Sequence, residues 1–339
     1  MSELPLSVLD VAPVAVNGSN GEALRNTTEL ARRVEALGYG RFWVAEHHNM
    51  PAIASSSPAV LLAHLAAATS TIRVGSGGVM LPNHAPLVVA EQFGTLEALH
   101  PGRIDLGVGR APGTDQYTAL ALRRTMEGLS AEHFPEELQD LIAYFEGDAR
   151  ILASPGKGDK PDVWLLGSSG YSAQLAGALG LPFAFAHHFS AQNTLPALAL
   201  YRTNFRPSRW LAEPYAMVAV SAIAAPTDEE AEFLSEPSAL SFLRLRSGRP
   251  EPLATPEEAA AYPYSERERE FVLQRREGQA LGSPDTVRKQ LIELLEATRA
   301  DEFMLTCMVY DLEARARSFE LIRAEVAPAL RKVDGWARG

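Results

Sequence analysis

The sequence predicts an α/β chain folded as a single (β/α)8 TIM barrel, and three features carry that expectation. Short apolar, β-branched runs recur eight times along the 339 residues. Segments with a 3.6-residue apolar period lie between them, so strand and helix alternate. The strand runs are apolar throughout, which implies burial on both faces, as in a parallel sheet wrapped by helices. An open Rossmann-type sheet is the fold alternative. The barrel is expected to occupy the whole chain, 1–339, as one domain with an insertion after the seventh strand.

The first strand is expected in PLSVLDVAPV from Pro5, followed by a helix in which Leu30, Val34 and Leu37 share a face and Gly38 supplies the C-cap. RFWVAEH from Arg41 is the second strand. SSSPAVLLAHLAAA then places Ser57 as N-cap and Pro58 at the first helical position. IRVGSGGVML from Ile72 and RIDLGVG from Arg103 are the third and fourth strands, and VWLLG from Val163 and PFAFAHHF from Pro182 the fifth and sixth. YAMVAVSAIAA from Tyr215 and EFMLTCMV from Glu302 complete the set. GSPDTVRKQLIELLEA repeats the capping device with Ser283 and Pro284, and Val287, Leu291, Leu294 and Leu295 form its inward stripe. Two stretches interrupt the rhythm. Residues 110–133 make a long connection after the fourth strand, and residues 226–281, rich in charge and proline, are expected to form a lid.

Composition narrows the partner. With 31 basic against 42 acidic residues, the net charge of -11 argues against nucleic acid or an anionic membrane surface and leaves a small molecule. The one cysteine, Cys307, lies in the apolar run FMLTCMVY and reads as an inert core thiol, so no disulfide can form within the chain. The opening MSELPLSVLD has no basic segment followed by an apolar stretch, and no run of about 18 uncharged apolar residues occurs. A cytoplasmic location is expected.

In such a barrel the site lies at the carboxyl ends of the strands. The second strand exits through Glu46, His47, His48 and Asn49; the third through Ser76, Gly77 and Gly78; the fourth through Gly109 and Arg110. The fifth exits through Gly167, Ser168 and Ser169, and the sixth through His187 and His188. Hydroxyls and a flexible backbone leading straight into a helix suit a phosphate, because free N–H groups and the positive end of the helix dipole meet there. An ordinary serine cap is the other reading. Arg110 adds a planar cation close to the same mouth, although a structural ion pair would explain a lone arginine equally. The small residues of VGSGGVMLP would let a flat ligand approach the backbone, or mark a simple bulge. GVGRAPG has the wrong glycine spacing for a dinucleotide fingerprint. Paired histidines raise a metal hydrolase, but neighbours on a strand point to opposite faces and no His-x-His pattern occurs, so no metal is expected. A histidine at the mouth has the pKa for acid or base work.

These residues resemble the bacterial luciferase-like flavin-dependent monooxygenases. AEHHNM is similar to that family's segment after the second strand. VGSGGVMLPNHAPLVVAEQFGTLEALHPGRIDLGVGRAPG resembles its third-to-fourth-strand block, and VWLLGSSGYSAQLAGALGLPFAFA its fifth-to-sixth-strand region. The resemblance spans about residues 5–330. It implies that His47 serves as acid or base near the reacting edge of the flavin. Ser76 and Gly77 would be joined by a non-prolyl cis peptide beneath the ring. Arg110 would hold the flavin phosphate together with Gly167, Ser168 and Ser169. The implied reaction uses reduced FMN and O2, through a C4a-(hydro)peroxyflavin, to oxygenate a small organic substrate. A separate flavin reductase would supply the cofactor, since the sequence has no nicotinamide-binding fingerprint. Gly109 stands where the luciferases proper have a cysteine, so light emission is not implied, and the lid region has no detailed match. A deazaflavin (F420)-dependent oxidoreductase and a non-catalytic flavin-binding protein are the alternatives, with a TIM-barrel metal hydrolase as the distant one. The apolar run AVLLAHLAAA suggests a homodimer, as the resemblance does.

Overall fold

The computed structural model describes residues 2–111, 113–123 and 132–332. Nine strands form one parallel sheet: β1 (Leu6–Asp10), β2 (Arg41–Val44), β3 (Arg73–Met80), β4 (Ile104–Gly109), β5 (Asp162–Gly167), β6 (Phe183–Ala186), β7 (Ala216–Ala224), β8 (Gln279–Gly282) and β9 (Glu302–Thr306). Strands β1 to β7 pair in chain order, β7 pairs with β9, and β9 pairs with β1, which closes an eight-stranded barrel. The expected barrel is therefore present, and its eight strands are those read from the sequence. The ninth, β8, was not expected. It lies outside the barrel against the far half of β7, with Ser221 opposite Gln279 and Ala224 opposite Gly282.

Around the barrel run α1 (Asn20–Ala36), α2 (Pro58–Ala68), α3 (Pro86–Leu99), α4 (Gln116–Arg123), α5 (Phe134–Glu146), α6 (Gly170–Leu179) and α7 (Thr194–Asn204). They are followed by α8 (Asp228–Arg246), α9 (Pro256–Ala260), α10 (Glu266–Arg276), α11 (Pro284–Thr298) and α12 (Leu312–Leu321). The connection expected over 110–133 contains α4, and its residues 112 and 124–131 lie outside the described ones. No helix among the described residues is long and apolar enough to cross a membrane.

Alternation along the strands sorts side chains into two cores. Val8, Phe42, Val44, Leu106, Leu165 and Phe303 point outward and pack under the helices. Leu9, Trp43, Ala45, Trp164, Ala184, Met217, Ala219 and Met304 fill the barrel interior. Its amino-terminal end is closed by charge: Arg41 bridges Asp105 at 2.8 Å and Glu302 at 3.2 Å, and the indole of Trp43 donates to Asp105. Interior positions of β3 and β4 beyond Arg73 and Asp105 are glycine, and at Gly75, Gly77 and Gly107 neighbouring atoms leave no room for a side chain. A Cβ on Gly107 would stand 2.1 Å from the Ser76 carbonyl oxygen, and one on Gly77 2.7 Å from Leu9.

The stretch 226–281 is mostly helical. Thr227 caps α8, and Thr255 and Ser265 open α9 and α10 with capping boxes that include Glu258 and Glu268. Leu240, Leu243, Ala254 and Ala259 form a small core of their own, with Tyr262, Tyr264 and Phe271 packed against it. The stretch expected to form a lid is thus built as three helices with a private apolar cluster.

Candidate active site

At the carboxyl end of β2 the backbone leaves the barrel and presents His47. Its N–H bonds to the Ser55 carbonyl at 3.0 Å, and its Nδ1 lies 3.3 Å from the carbonyl oxygen of Gly113. A carbonyl only accepts, so this contact puts the proton of the neutral ring on Nδ1 and leaves the Nε2 lone pair free. Burial lowers the His47 pKa; the Gly113 carbonyl and the Glu46 charge oppose it without reversing the direction. Near neutrality His47 is therefore an uncharged imidazole with an open basic nitrogen.

Gly113 is indispensable to that arrangement. Its φ is +67°, and a Cβ there would stand 2.7 Å from the Glu46 carbonyl oxygen. The loop that begins at Arg110 thus crosses to the exit of β2 and pins His47. Sequence reasoning missed Gly113, although a glycine three residues beyond a strand-end arginine was a visible signal.

Glu46, beside His47 in the chain, is committed to other partners. Fully buried, it accepts hydrogen bonds from His48 Nε2 at 2.9 Å, His84 Nε2 at 2.9 Å, the Met80 N–H at 3.0 Å and Asn83 Nδ2 at 3.2 Å. Burial pushes its pKa up, but these bonds outweigh burial and the net shift is downward. Glu46 is a staple between the exits of β2 and β3. His84 was overlooked because its partner lies 38 residues away.

The non-prolyl cis peptide joins Gly77 to Gly78, one residue beyond the Ser76–Gly77 bond that the resemblance implied. The register between β3 and β4 shifts at the same place, where Gly77 faces Gly107 and Val79 faces Val108. Ser76 lies opposite Val44 and Leu106 on the outward face, and its hydroxyl donates to the Gly107 carbonyl at 2.9 Å. Its side chain is thereby committed. The interior face here consists of Gly75 and Gly77 on β3 and Gly107 and Gly109 on β4, a floor of bare backbone beneath the mouth.

The fourth and fifth strand exits meet. The guanidinium of Arg110 lies 4.3 Å from the ring centroid of Tyr171, in the first turn of α6. Ser169 is the N-cap of that helix but makes no side-chain cap bond, so the first N–H groups of α6 lack that partner. Among the described residues, Arg110 makes no ion pair or side-chain hydrogen bond, and the hydroxyls of Ser168 and Ser169 have no partner either. Gly167 is held close, since a Cβ there would stand 2.4 Å from that of Ser172. Unused donors of both kinds, cationic and backbone, therefore gather at one helix start, which fits a phosphate.

The sixth exit adds His188, noted in the sequence without a role. Its Nδ1 lies 3.0 Å from the Ala219 carbonyl oxygen, and burial lowers its pKa to about 4, with Arg275, His187 and His47 pushing the same way. His47 lies near enough for its charge to bear on His188. Cys307, by contrast, belongs to the outer core, and burial raises its thiol to about 11. It stays protonated and inert.

Residues 5–302 match the family described as luciferase-like monooxygenase. A luciferase-like monooxygenase of Escherichia coli (strain K12) is 48% identical over 321 residues, covering 94% of this chain and 96% of its own length. An N-acetyl-S-alkylcysteine monooxygenase of Bacillus subtilis (strain 168) is 34% identical and covers 96% of this chain and 99% of its own length. The crystal structure of apo-MsnO8 superposes with a TM-score of 0.89 at 37% identity, over 97% of this chain and all of that one. Barrel, strand-exit geometry and sequence agree, and the chain belongs to the luciferase-like monooxygenase family.

Proposed function

We propose that the protein is an FMN-dependent monooxygenase that takes reduced FMN and O2 and oxygenates a small organic substrate. The observation that carries this reading is the stacking of Arg110 on Tyr171 at the uncapped start of α6, with no ion-pair partner for the guanidinium among the described residues. Gly167, Ser168, Ser169 and Arg110 would hold the phosphate. The glycine floor on β3 and β4, with the Gly77–Gly78 peptide, fits a flat ring laid on bare backbone. Reduced flavin, when bound, supplies the electrons that split O2 between substrate and water.

What remains for the protein is binding, proton control and exclusion of water. His47, neutral and open at Nε2, accepts or returns a proton at the reacting edge. Glu46 fixes the rim, and the helices of 228–276 close the site against water, which supports oxygen transfer to substrate over release of hydrogen peroxide. The N-acetyl-S-alkylcysteine monooxygenase relative supports a small organic acceptor. Reduced flavin comes from a separate reductase, so NADH oxidation by the purified protein would contradict this part. A homodimer formed through α2 completes the reading.

Flavin titration tests the cofactor. FMN quenches on binding at least about tenfold more tightly than riboflavin, because charge-assisted phosphate bonds are worth roughly 1.5–3 kcal/mol. Arg110→Gln removes most of that preference, and a deazaflavin cofactor binds more weakly than FMN. Equal affinity for FMN and riboflavin sinks the reading.

A further inference from the structure

Outside the site already described, Arg275 is set among aromatic rings. Arg275, in the last turn of α10, places its guanidinium 4.4 Å from the ring centroid of Phe242 on α8. Phe242 stacks on Phe271 at 5.7 Å with the planes 6° apart, and Phe189 lies 6.4 Å away on the same ring. His188 is 4.5 Å from Phe189. An unbroken series of rings therefore runs from the exit of β6 to Arg275.

The end of α10 is fixed against the barrel mouth. A Cβ on Gly278 would stand 2.9 Å from Ala191 and 3.8 Å from His187 Nε2. The positive charge of Arg275 acts on His188, as does His47. Arg275 and His47 are therefore both neighbours of His188.

Among the described residues Arg275 has no counter-charge. Its Nε is buried with no hydrogen-bond partner, and among the described residues the side chain makes no ion pair. The next residue shows the contrast: Arg276 bonds Glu236 at 2.6 Å. Burial alone pushes the Arg275 pKa down to about 10, so the group is desolvated yet still charged near neutrality. A chain with 11 excess negative charges has acids to spare. Leaving this cation unpaired costs stability and makes sense where a ligand brings the anion. Gln279, whose side chain shares the inward face of Ser221, also has a buried amide nitrogen without an acceptor.

We propose that Arg275 is a specificity-determining residue that receives the carboxylate of an organic-acid substrate whose apolar body lies along Phe189, Phe242 and Phe271. That the acid is the oxygen acceptor rests on the monooxygenase reading above. The guanidinium fork matches a planar carboxylate, and stacking on Phe242 holds it in one orientation. A monoanion suits one buried arginine beside neutral histidines better than a phosphate dianion does.

Calorimetric titration of the full chain with phenylacetate and with phenylacetamide tests this, alongside an FMN titration of each protein. Phenylacetate is expected to bind at least about tenfold more tightly than its neutral amide, with a preference that shrinks at high salt. Arg275→Gln brings the ratio close to one and leaves FMN affinity unchanged. Phe242→Leu, which keeps the charge but removes its platform, lowers the ratio several-fold and serves if the first variant does not fold. No acid preference in the wild type, or one that survives in Arg275→Gln, overturns the proposal. So does a loss of FMN affinity in Arg275→Gln as large as that in Arg110→Gln, which would assign Arg275 to the flavin phosphate. An intact acid preference in a protein that binds no FMN refutes the flavin reading alone.

Discussion

His47 and His188 show how one residue type is set to different tasks by its surroundings. Both turn Nδ1 toward a backbone carbonyl and both are lowered in pKa by burial, so both are neutral at the mouth. Only His47 is joined by Gly113 to the loop that carries Arg110. His47→Gln is therefore expected to leave FMN affinity unchanged and to cut product formation about a hundredfold or more, with hydrogen peroxide released instead. Unchanged coupling would remove His47 from the chemistry. His188 makes stability depend on pH. The unfolded chain protonates it near 6.5, whereas the folded chain resists until about 4. Its contribution is thus fully present above 6.5 and is lost as pH falls through that window, by up to about 3 kcal/mol at ~1.4 kcal/mol per pH unit. His47 and His187 act in the same direction. Urea midpoints measured from neutral to mildly acidic pH should fall less steeply in His188→Asn than in the wild type, and parallel slopes would contradict this.

At the scale of the element, α2 is almost wholly apolar, yet Val60, Ala63, His64 and Ala67 leave one stripe open to solvent, with Val60 72% exposed. The neighbouring groove against α1 is lined by Leu24, Thr28 and Leu61. The proposed second subunit would cover this face. Sedimentation velocity should give a dimer that Val60→Glu converts to monomer, whereas a monomeric wild type would contradict it. The barrel strands were legible because burial on both faces writes itself as unbroken apolar runs. By contrast, β8 was not, since four residues, preceded by Gly278 and ending in Gly282, carry no period. Nor was α10, whose EREREFVLQRR buries only Val272 and so reads as a charged loop. Its one sequence signal was the capping pair Ser265 and Glu268. The strand exits that carry His47, Arg110 and Gly167 were legible, because the apolar runs mark where each strand ends. The site was not legible where partners come from distant segments, as with His84 on Glu46 and Arg275 on Phe242.

For the whole molecule, closure of the barrel is what turns scattered residues into a site. The β4 loop carries Arg110 over Tyr171 on one side and sets Gly113 against His47 on the other, so the second, fourth and fifth exits share one rim. The charged layer of Arg41, Asp105 and Glu302 seals the opposite end, and the helices of 228–276 add Arg275 and its rings beside the sixth exit. A crystal structure of the full chain grown with FMN tests the central claim most directly. The account predicts the phosphate within hydrogen-bonding distance of Arg110 and the N–H groups at the start of α6, the ring over the Gly77–Gly78 peptide, and His47 Nε2 facing its reacting edge. A phosphate bound elsewhere, or a ring that leaves His47 on the far side of the barrel wall, would contradict it.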